Sequence, residues 1–394
     1  MTAKILITTF TFPPNMDGVA NAAWSMAKGL ADRGFEVVVA TGHLPDRTDF
    51  QPHQGVRVEQ FEVISGWKFE GRSLDEIRRM RQFVVDEKPD VIVCHCWEIW
   101  STATAEGVFD QLSDTRKILV SHGYTTHQWR PNPRPPFGLG VLSRSLPKVF
   151  GLPWALRRYD RVVFLSTSTR WNRFLDHWVA KITRYQGARV IPNGTEPNPS
   201  RGSAASFREL HGLGEGMAVL CVANYGPRKN QELAIRAFRR AQIKGSVLVL
   251  IGSEFNDYAR EIMRLDERLQ KEFPEGRVIF IEKLDRPSTL AAYAACDLFL
   301  LAALAETQPI ALLEAMAAGM AFVSTDTGCV REMPGGIVAN GETCLATALA
   351  TLDADASKRK ALGVIGRNAV LDQYSNEKVL DTQEQLIREL LEPR

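Results

Sequence analysis

The stretch ETQPIALLEAMAAG, from Glu306 to Gly319, predicts the architecture of the chain around it. Residues 297–301 before it form an apolar run that is typical of a buried strand in a parallel sheet. Pro309 is expected at the first position of a helix that Gly319 ends. The apolar side chains recur at helical spacing, at Ile310, Leu313, Ala317 and Met320. The stretch therefore predicts a strand–loop–helix unit of an open α/β sheet.

Two glutamates bracket the start of this helix. Glu306 lies on the loop at the carboxyl end of the strand, and Glu314 lies one to two turns into the helix. Ligands of open α/β sheets bind at these strand ends, and helix starts attract phosphate. Two glutamates eight residues apart are also common as solvated surface groups. Their placement predicts carboxylates at opposite ends of a phosphorylated ligand.

The same alternation of strand and helix runs through both halves of the chain. In the second half, strands are expected at 217–222, 247–251, 277–281 and 297–301, with helices at 231–241, 258–272 and 287–295. In the first half, strands are expected at 4–9, 36–40, 90–94, 117–121, 161–166 and 189–192, with helices at 19–33 and 73–87. Repeated βα units predict parallel sheets with right-handed crossovers.

A length of 394 residues favours two domains. Residues 1–195 are the first domain and 216–375 the second, and the Pro-, Gly- and Ser-containing segment 196–215 between them is predicted to be a linker. Residues 376–394 are an amphipathic C-terminal helix. The fold class is therefore α/β, with two Rossmann-like domains.

The stretch 306–319, including its LLEAMAAG ending, resembles the E-x7-E signature of family 4 retaining glycosyltransferases of the GT-B fold. This resemblance implies that the two domains face each other across a cleft, that the first binds the acceptor, and that the second binds a nucleotide sugar. It also implies that the C-terminal helix crosses back to the first domain. The implied reaction is a retaining, metal-independent sugar transfer from a nucleotide-diphosphate sugar to a saccharide, lipid-linked or small-molecule acceptor. The donor is a substrate, and no cofactor is implied.

The resemblance assigns roles to residues of the Glu306 loop. Glu306 contacts the donor sugar, and Glu314 binds the ribose hydroxyls, because a carboxylate can accept two hydrogen bonds from a vicinal diol. The sugar pocket is formed by Thr307, Gln308, Pro309 and Ile310. Thr307 and Gln308 replace the more frequent Gly-Phe-Gly type of sequence.

The diphosphate is expected at two further loops. The loop VANYGPRKNQELAIRAF contains Lys229, which matches the family lysine, whereas Asn224 stands where the family has arginine. Arg228 can take that role, although a basic surface pair is the alternative. Gly18 lets backbone approach a phosphate at a helix start, and an ordinary turn glycine is the alternative. Asp17 replaces the first glycine of the family pair, which places an anion near the diphosphate.

His122, in the segment His-Gly-Tyr at a strand end, is the second candidate catalytic residue. In the resembling family a histidine at this place lies beside the transferred sugar, and a packing histidine is the alternative. Cys94-His95-Cys96 fits no common zinc spacing, so buried strand residues are expected there. The sole Asp-x-Asp, at 353–355, is predicted to be a surface connection. No metal site is predicted.

Charge is unevenly distributed along a chain whose net charge is only +2. Twelve basic residues against two acidic ones lie between His127 and Arg189, interleaved with Trp129, Phe137, Phe150 and Trp154. This pattern favours an anionic or lipid-diphosphate acceptor or a membrane surface, and a partly buried loop is the alternative. No nucleic-acid partner is predicted. No signal-peptide pattern and no spanning segment are evident, so a cytoplasmic, possibly peripheral, location is expected.

Two other functions fit the same two-domain cleft. A non-hydrolysing nucleotide-sugar epimerase would use His122 and Glu306 as acid and base. The basic loop and the E-x7-E spacing favour the transferase. A non-catalytic module that only binds nucleotide sugar is the other alternative, and Asp17 and Asn224 favour it.

Overall fold

The computed structural model describes residues 2–15, 17–44, 55–62, 74–124, 150–170, 174–197 and 204–392. The chain forms two compact units. Unit 1 comprises Met1–Asn193 and Glu377–Arg394, and unit 2 comprises Gly194–Asn376.

Unit 1 contains a seven-stranded parallel sheet in the order β3-β2-β1-β4-β5-β6-β7. Its strands are β1 (Lys4–Thr8), β2 (Glu36–Gly42), β3 (Val56–Phe61), β4 (Val91–His95), β5 (Arg116–Ser121), β6 (Arg161–Phe164) and β7 (Ala188–Val190). Its first helices are α1 (Gly18–Asp32), α2 (Leu74–Glu87), α3 (Trp100–Glu106) and α4 (Leu175–Ile182). Alternate residues of β1 pack in two separate apolar clusters, so both faces of the strand are buried.

Unit 2 contains a six-stranded parallel sheet in the order β10-β9-β8-β11-β12-β13. Its strands are β8 (Ala218–Val222), β9 (Val247–Gly252), β10 (Arg277–Glu282), β11 (Leu298–Leu301), β12 (Ala321–Ser324) and β13 (Gly336–Val338). Its helices are α5 (Ala204–Leu210), α6 (Gln231–Ala241), α7 (Asp257–Glu272), α8 (Arg286–Ala295), α9 (Ile310–Ala317), α10 (Glu342–Ala354) and α11 (Ala356–Ala369). The predicted α/β class with two Rossmann-like units is confirmed.

The last helix, α12 (Asn376–Leu391), packs on the sheet of unit 1. Its apolar face, including Leu386, Ile387 and Leu390, joins the cluster around β1 and α1. Arg33 at the end of α1 forms ion pairs with Asp381 at 2.5 Å and with Glu384 at 2.9 Å.

In both sheets the strand order reverses beside one central strand. The reversal lies between β1 and β4 in unit 1 and between β8 and β11 in unit 2. Ligands of doubly wound sheets bind outside the carboxyl ends of the strands at this switch point. The loops after β8 and β11 are those that contain Lys229 and Glu306.

The prediction that residues 196–215 form a linker is wrong for residues 204–210, which are helical. Residues 204–210 form α5, which contacts α8 and buries Phe207, and Leu213 after the helix is buried as well. Arg208 donates hydrogen bonds to the carbonyls of Ala295 and Gly214, both at 2.6 Å. A seven-residue helix is too short to give a periodic apolar pattern, because only Phe207 of its side chains faces the core.

The helix after Glu306 also differs from its prediction at one end. Pro309 is extended, with φ −75° and ψ 115°, so it precedes the first helical residue, Ile310. At the other end the prediction is confirmed, since Gly319 follows the cap residue with φ +78°. A positive φ of this size favours glycine because it has no Cβ.

Much of the basic, aromatic segment of unit 1 lies outside the described residues. These include Trp129 and Phe137, whereas residues 150–156 are helical and expose Phe150 and Trp154 by 67% and 68%. None of the helices in the described ranges is long and apolar enough to cross a bilayer.

Candidate active site

The loops that follow β8 and β11 are joined side by side in unit 2. Leu304 N donates to the Arg228 carbonyl at 2.9 Å, and Asn230 Nδ2 donates to the Ala302 carbonyl at 3.2 Å. Asn230 has φ +53°, a left-handed conformation that asparagine tolerates better than most residues. These bonds hold the two predicted donor-binding loops against each other.

Lys229 and Glu306 meet at this junction. Lys229 Nζ contacts Glu306 Oε1 in a direct ion pair, and the Glu306 side chain is only 9% exposed. The lysine predicted to bind diphosphate and the glutamate predicted to contact sugar are therefore neighbours. In such a pair the cation can bind the diphosphate and the carboxylate can accept hydrogen bonds from the sugar to which that diphosphate is attached.

Arg228 and Asn224 are not part of the Lys229–Glu306 ion pair. Both side chains are exposed, and the Asn224 carbonyl accepts a bond from Gln231 Nε2 at 3.1 Å. The buried Tyr225 anchors the loop through hydrogen bonds to the Leu250 and Ile281 carbonyls. The structure thus places Lys229, rather than Arg228, against Glu306.

Glu314 is buried and has its own cation, which the sequence did not reveal. Arg286 Nη2, at the start of α8, lies 2.5 Å from Glu314 Oε1, and the Glu314 side chain is 7% exposed. Burial acts to lower the pKa of Arg286, but the Glu314 carboxylate outweighs that effect and raises it. Burial and the same carboxylate raise the pKa of Tyr293, which lies two turns further along α8. Each glutamate of the E-x7-E pattern is therefore paired with a basic residue from another βα unit.

The loop after β12 supports the Glu306 loop from behind. Glu306 N donates to Thr327 Oγ1, and Cys329 N donates to the Thr307 carbonyl, both at 3.0 Å. Gly328 between them has φ +47°, and a Cβ there would lie 2.3 Å from the Thr307 oxygen. Of the predicted sugar-pocket residues, Gln308 and Pro309 are buried, while Thr307 and Ile310 are half-buried.

We expect Gly328→Ala to lower kcat by about 10-fold to 100-fold, because displacing a positioned catalytic loop by about 1 Å has effects of this size. The substitution forces the Glu306–Thr307 backbone away from the new methyl group. Gly341→Ala is the matched control, since Gly341 also has positive φ, +83°, but has nothing within 4 Å of a Cβ. Equal activity of the two variants in a steady-state assay would contradict the supporting role of Gly328.

The predicted phosphate residue Gly18 is the first residue of α1 in unit 1. Asp17 caps this helix, and its Oδ1 accepts bonds from Val19 N and Ala20 N, both at 2.9 Å. Thr11 Oγ1 donates to Asp17 Oδ2 at 2.8 Å. The aspartate that replaces the family glycine therefore satisfies backbone donors at this helix start.

His122 lies just after β5 and pairs with a second histidine. Its Nε2 is 3.0 Å from Nδ1 of His95, and the two rings stack with centroids 5.3 Å apart. Burial lowers the pKa of His122 to about 4 and that of His95 well below its ordinary value. The sequence does not indicate this role for His95, because it lies in an apolar run that predicts a buried strand. The neighbouring Cys94 and Cys96 are both buried and free, but only Cys94 lies in β4; Cys96 follows the strand with φ +70°.

Potential metal ligands are dispersed over the described parts of the chain. Within those parts, no group of three His, Cys, Asp or Glu side chains could hold a metal ion. Asp355 of the Asp-x-Asp sequence caps α11 by accepting a bond from Lys358 N at 2.8 Å. Asp353 and Ala354 are the last residues of α10, so only Asp355 of the predicted surface connection lies between the two helices.

Two families match the chain, one in each half. Residues 206–358 match the family described as glycosyl transferases group 1, and residues 17–194 match the glycosyl transferase 4-like domain.

Two relatives extend these matches. The chain is 26% identical over 404 residues to N-acetyl-alpha-D-glucosaminyl L-malate synthase of Bacillus anthracis, which covers 99% of this chain and 98% of that protein. It is 28% identical over 242 residues to a GDP-mannose-dependent alpha-(1-6)-phosphatidylinositol monomannoside mannosyltransferase of Mycolicibacterium smegmatis. This second match spans 56% of the chain and only 61% of the mannosyltransferase.

Solved structures share the fold along the whole chain. Sucrose-phosphate synthase of Thermosynechococcus elongatus superposes with a TM-score of 0.78 at 19% identity, covering 98% of this chain and 99% of that one. Anabaena HepE, solved in complex with UDP and glucose, superposes with a TM-score of 0.75 at 18% identity, covering 98% and 100%. Each half of the chain thus matches a glycosyltransferase family model, and solved structures share its fold along nearly the whole length.

Proposed function

We propose that the protein transfers a hexosyl group from a nucleotide-diphosphate sugar to an acceptor hydroxyl, with retention of anomeric configuration and without a metal ion. The observation that carries this proposal is the pairing of Lys229 with Glu306 at the switch point of the unit 2 sheet. The relatives support the donor class, since one is named for GDP-mannose and HepE was solved with UDP and glucose. They differ in base and sugar, so the proposal names the donor class only.

In the proposed reaction the bond between the anomeric carbon and the diphosphate breaks, and its electron pair stays on the diphosphate. The acceptor oxygen forms the new bond to that carbon, and its proton passes to the leaving diphosphate. Lys229 offsets the charge that develops on the leaving diphosphate, a form of stabilisation that is large in a site shielded from water. Glu306 orients the sugar, Glu314 accepts hydrogen bonds from the ribose hydroxyls, and His122 lies beside the sugar.

Incubation with a panel of nucleotide sugars and candidate acceptors tests this function. We expect acceptor-dependent release of nucleoside diphosphate, undiminished by a chelator, and a product whose anomeric configuration by NMR equals that of the donor. Conversion of the donor to a sugar isomer would establish the epimerase instead. Binding of the donor with neither product would establish a non-catalytic module. An inverted product, or loss of turnover with chelator, would contradict retention or metal independence respectively.

We expect Lys229→Ala to raise the activation free energy by about 3 kcal/mol, which lowers kcat roughly 100-fold or more. Arg228→Ala should have a much smaller effect, because its side chain is exposed while Lys229 contacts Glu306. The two neighbouring variants are matched controls for each other in one steady-state assay. The reverse ranking would mean that Arg228 makes the diphosphate contact and so takes the place of the family arginine at Asn224.

We further propose that the acceptor is anionic or carried on a lipid diphosphate and is met at a membrane surface. The mannosyltransferase relative, named for a phosphatidylinositol acceptor, supports a lipid-linked class. Phe150 and Trp154 are exposed one helical turn apart and are followed by Arg157 and Arg158. Each basic residue near an anionic leaflet contributes about 1 kcal/mol, so a few of them suffice for salt-sensitive attachment.

Co-sedimentation with vesicles tests the membrane proposal. The protein should bind vesicles that contain anionic lipid at low salt, and high salt or neutral lipid should release it. Phe150→Ser with Trp154→Ser should weaken the binding, whereas Leu210→Ser, an exposed leucine of unit 2, should leave it unchanged. Equal partitioning to neutral and anionic vesicles, or none to either, would leave a soluble acceptor.

A further inference from the structure

His95 contacts His122, and it is more deeply buried than His122. It ends β4, the strand next to β5, and is 1% exposed. Its Nδ1 lies 3.0 Å from His122 Nε2, while its other nitrogen, Nε2, is buried without a hydrogen-bond partner among the described residues. Within the described parts of the chain, the His95 ring thus makes a single hydrogen bond, which is to His122.

The backbone around the two rings is held in place from several sides. Thr102 Oγ1 lies 3.2 Å from the His95 carbonyl and 2.9 Å from the Cys96 carbonyl, and Cys96 has φ +70°. The buried carboxylate of Asp176 accepts bonds from Trp97 Nε1 at 2.7 Å and Ser121 Oγ at 2.5 Å. Asp176 therefore ties the segment after His95 to the segment before His122.

The number of protons on this pair follows from its surroundings. Burial lowers both pKa values, so both rings are neutral near pH 7, and each carries one N–H. A hydrogen bond between Nδ1 of His95 and Nε2 of His122 needs one hydrogen between them. Either His95 donates from Nδ1, or His122 donates from Nε2.

The unpartnered nitrogen decides between these alternatives. If His122 donated, the proton of His95 would have to sit on its buried Nε2 as an N–H without an acceptor. If His95 donates, its Nε2 is only an unused acceptor, and buried unpaired donors are rarer than unused acceptors. Donation by His95 is therefore the favoured arrangement, and it leaves the hydrogen of His122 on Nδ1.

We propose that His95 is a positioning residue that holds His122 as the neutral Nδ1–H tautomer by donating a hydrogen bond from its own Nδ1. His122 then carries its hydrogen on Nδ1, and its Nε2 is not available as a base. The contribution to sugar transfer rests on the proposed function. The tautomer itself does not, because it is a property of unit 1.

Nitrogen-15 NMR of histidine-labelled full-length protein tests the tautomer directly. Between about pH 6 and about pH 8, His122 should show a protonated-type shift at Nδ1 and an unprotonated-type shift at Nε2. The His122→Gln variant identifies these resonances by their loss. A protonated-type Nε2 of His122 in the wild-type protein would overturn the proposal, even if no donor is found.

Variants of His95 test the consequence for activity. His95→Leu should release His122 to the other tautomer and lower kcat about 10-fold to 100-fold, the size of effect typical when an orienting partner is removed, with the donor KM nearly unchanged. His95→Asn, whose amide can donate from nearly the same position, should retain more activity and the Nδ1–H signal.

His211→Asn, a histidine of unit 2, is the matched control and should change neither readout. An unchanged His122 tautomer in His95→Leu would overturn the positioning role. A wild-type protein with the expected tautomer but no transfer to any acceptor would contradict the proposed function and leave the proposed hydrogen bond standing.

Discussion

Glu306→Gln should lower kcat by about 100-fold or more with little change in the donor KM, whereas Glu314→Ala should chiefly raise the donor KM. The glutamine keeps the shape of the side chain but removes the charge that Lys229 contacts. Glu314 makes its proposed bonds to ribose in the ground state, so its loss weakens binding before the chemical step. Its loss also leaves Arg286 without its partner at the site.

Steady-state kinetics with varied donor, together with calorimetric binding of the nucleoside diphosphate, separates the two roles. Glu232→Gln, on an exposed ion pair of α6 with Arg236, is the control and should be nearly neutral. If Glu306→Gln and Glu314→Ala lost donor affinity equally and kept kcat, the division of roles would be wrong. A double-mutant cycle of Lys229→Ala with Glu306→Gln should be strongly non-additive, because the two side chains touch.

Asp266→Ala should lower the free energy of unfolding of unit 2 by about 3 to 5 kcal/mol, the typical cost of removing one partner of a buried ion pair. Arg239 is 1% exposed and binds both carboxylate oxygens of Asp266, at 2.7 and 3.0 Å. Its Nη1 also donates to the Gly276 carbonyl at 3.0 Å. Without Asp266 the guanidinium would remain buried and largely uncompensated.

Urea unfolding followed by circular dichroism measures this loss. Asp257→Ala on the same helix is the matched control, since the Arg260–Asp257 pair is exposed and such pairs contribute about 0 to 1 kcal/mol. Replacing both partners with apolar residues of similar volume, Arg239→Met with Asp266→Leu, should recover much of the loss. A loss for Asp266→Ala no larger than that for Asp257→Ala would show that the buried pair contributes little.

The sequence could not predict which residues contact Glu306 and Glu314. Arg286 lies on a different βα unit from Glu314, and nothing in the residues around it signals an ion pair. Thr327 and Gly328 support Glu306 from the loop after the next strand. His95 contacts His122 only because β4 and β5 are adjacent in the sheet. Each of these contacts depends on strand order, which local spacing does not encode.

The sequence by itself determined the alternation of strands and helices, the two sheets, the loops on which Glu306, Lys229 and His122 lie, and the helix that contains Glu314. These features are readable because parallel strands buried on both faces leave continuous apolar runs, and because Gly319 and similar residues end helices through their own backbone preferences. The tertiary structure decided which side chains meet: Lys229 with Glu306, Arg286 with Glu314, and His95 with His122. Such pairs join residues that are distant in the chain, so they form only when neighbouring strands bring their loops to one edge of a sheet.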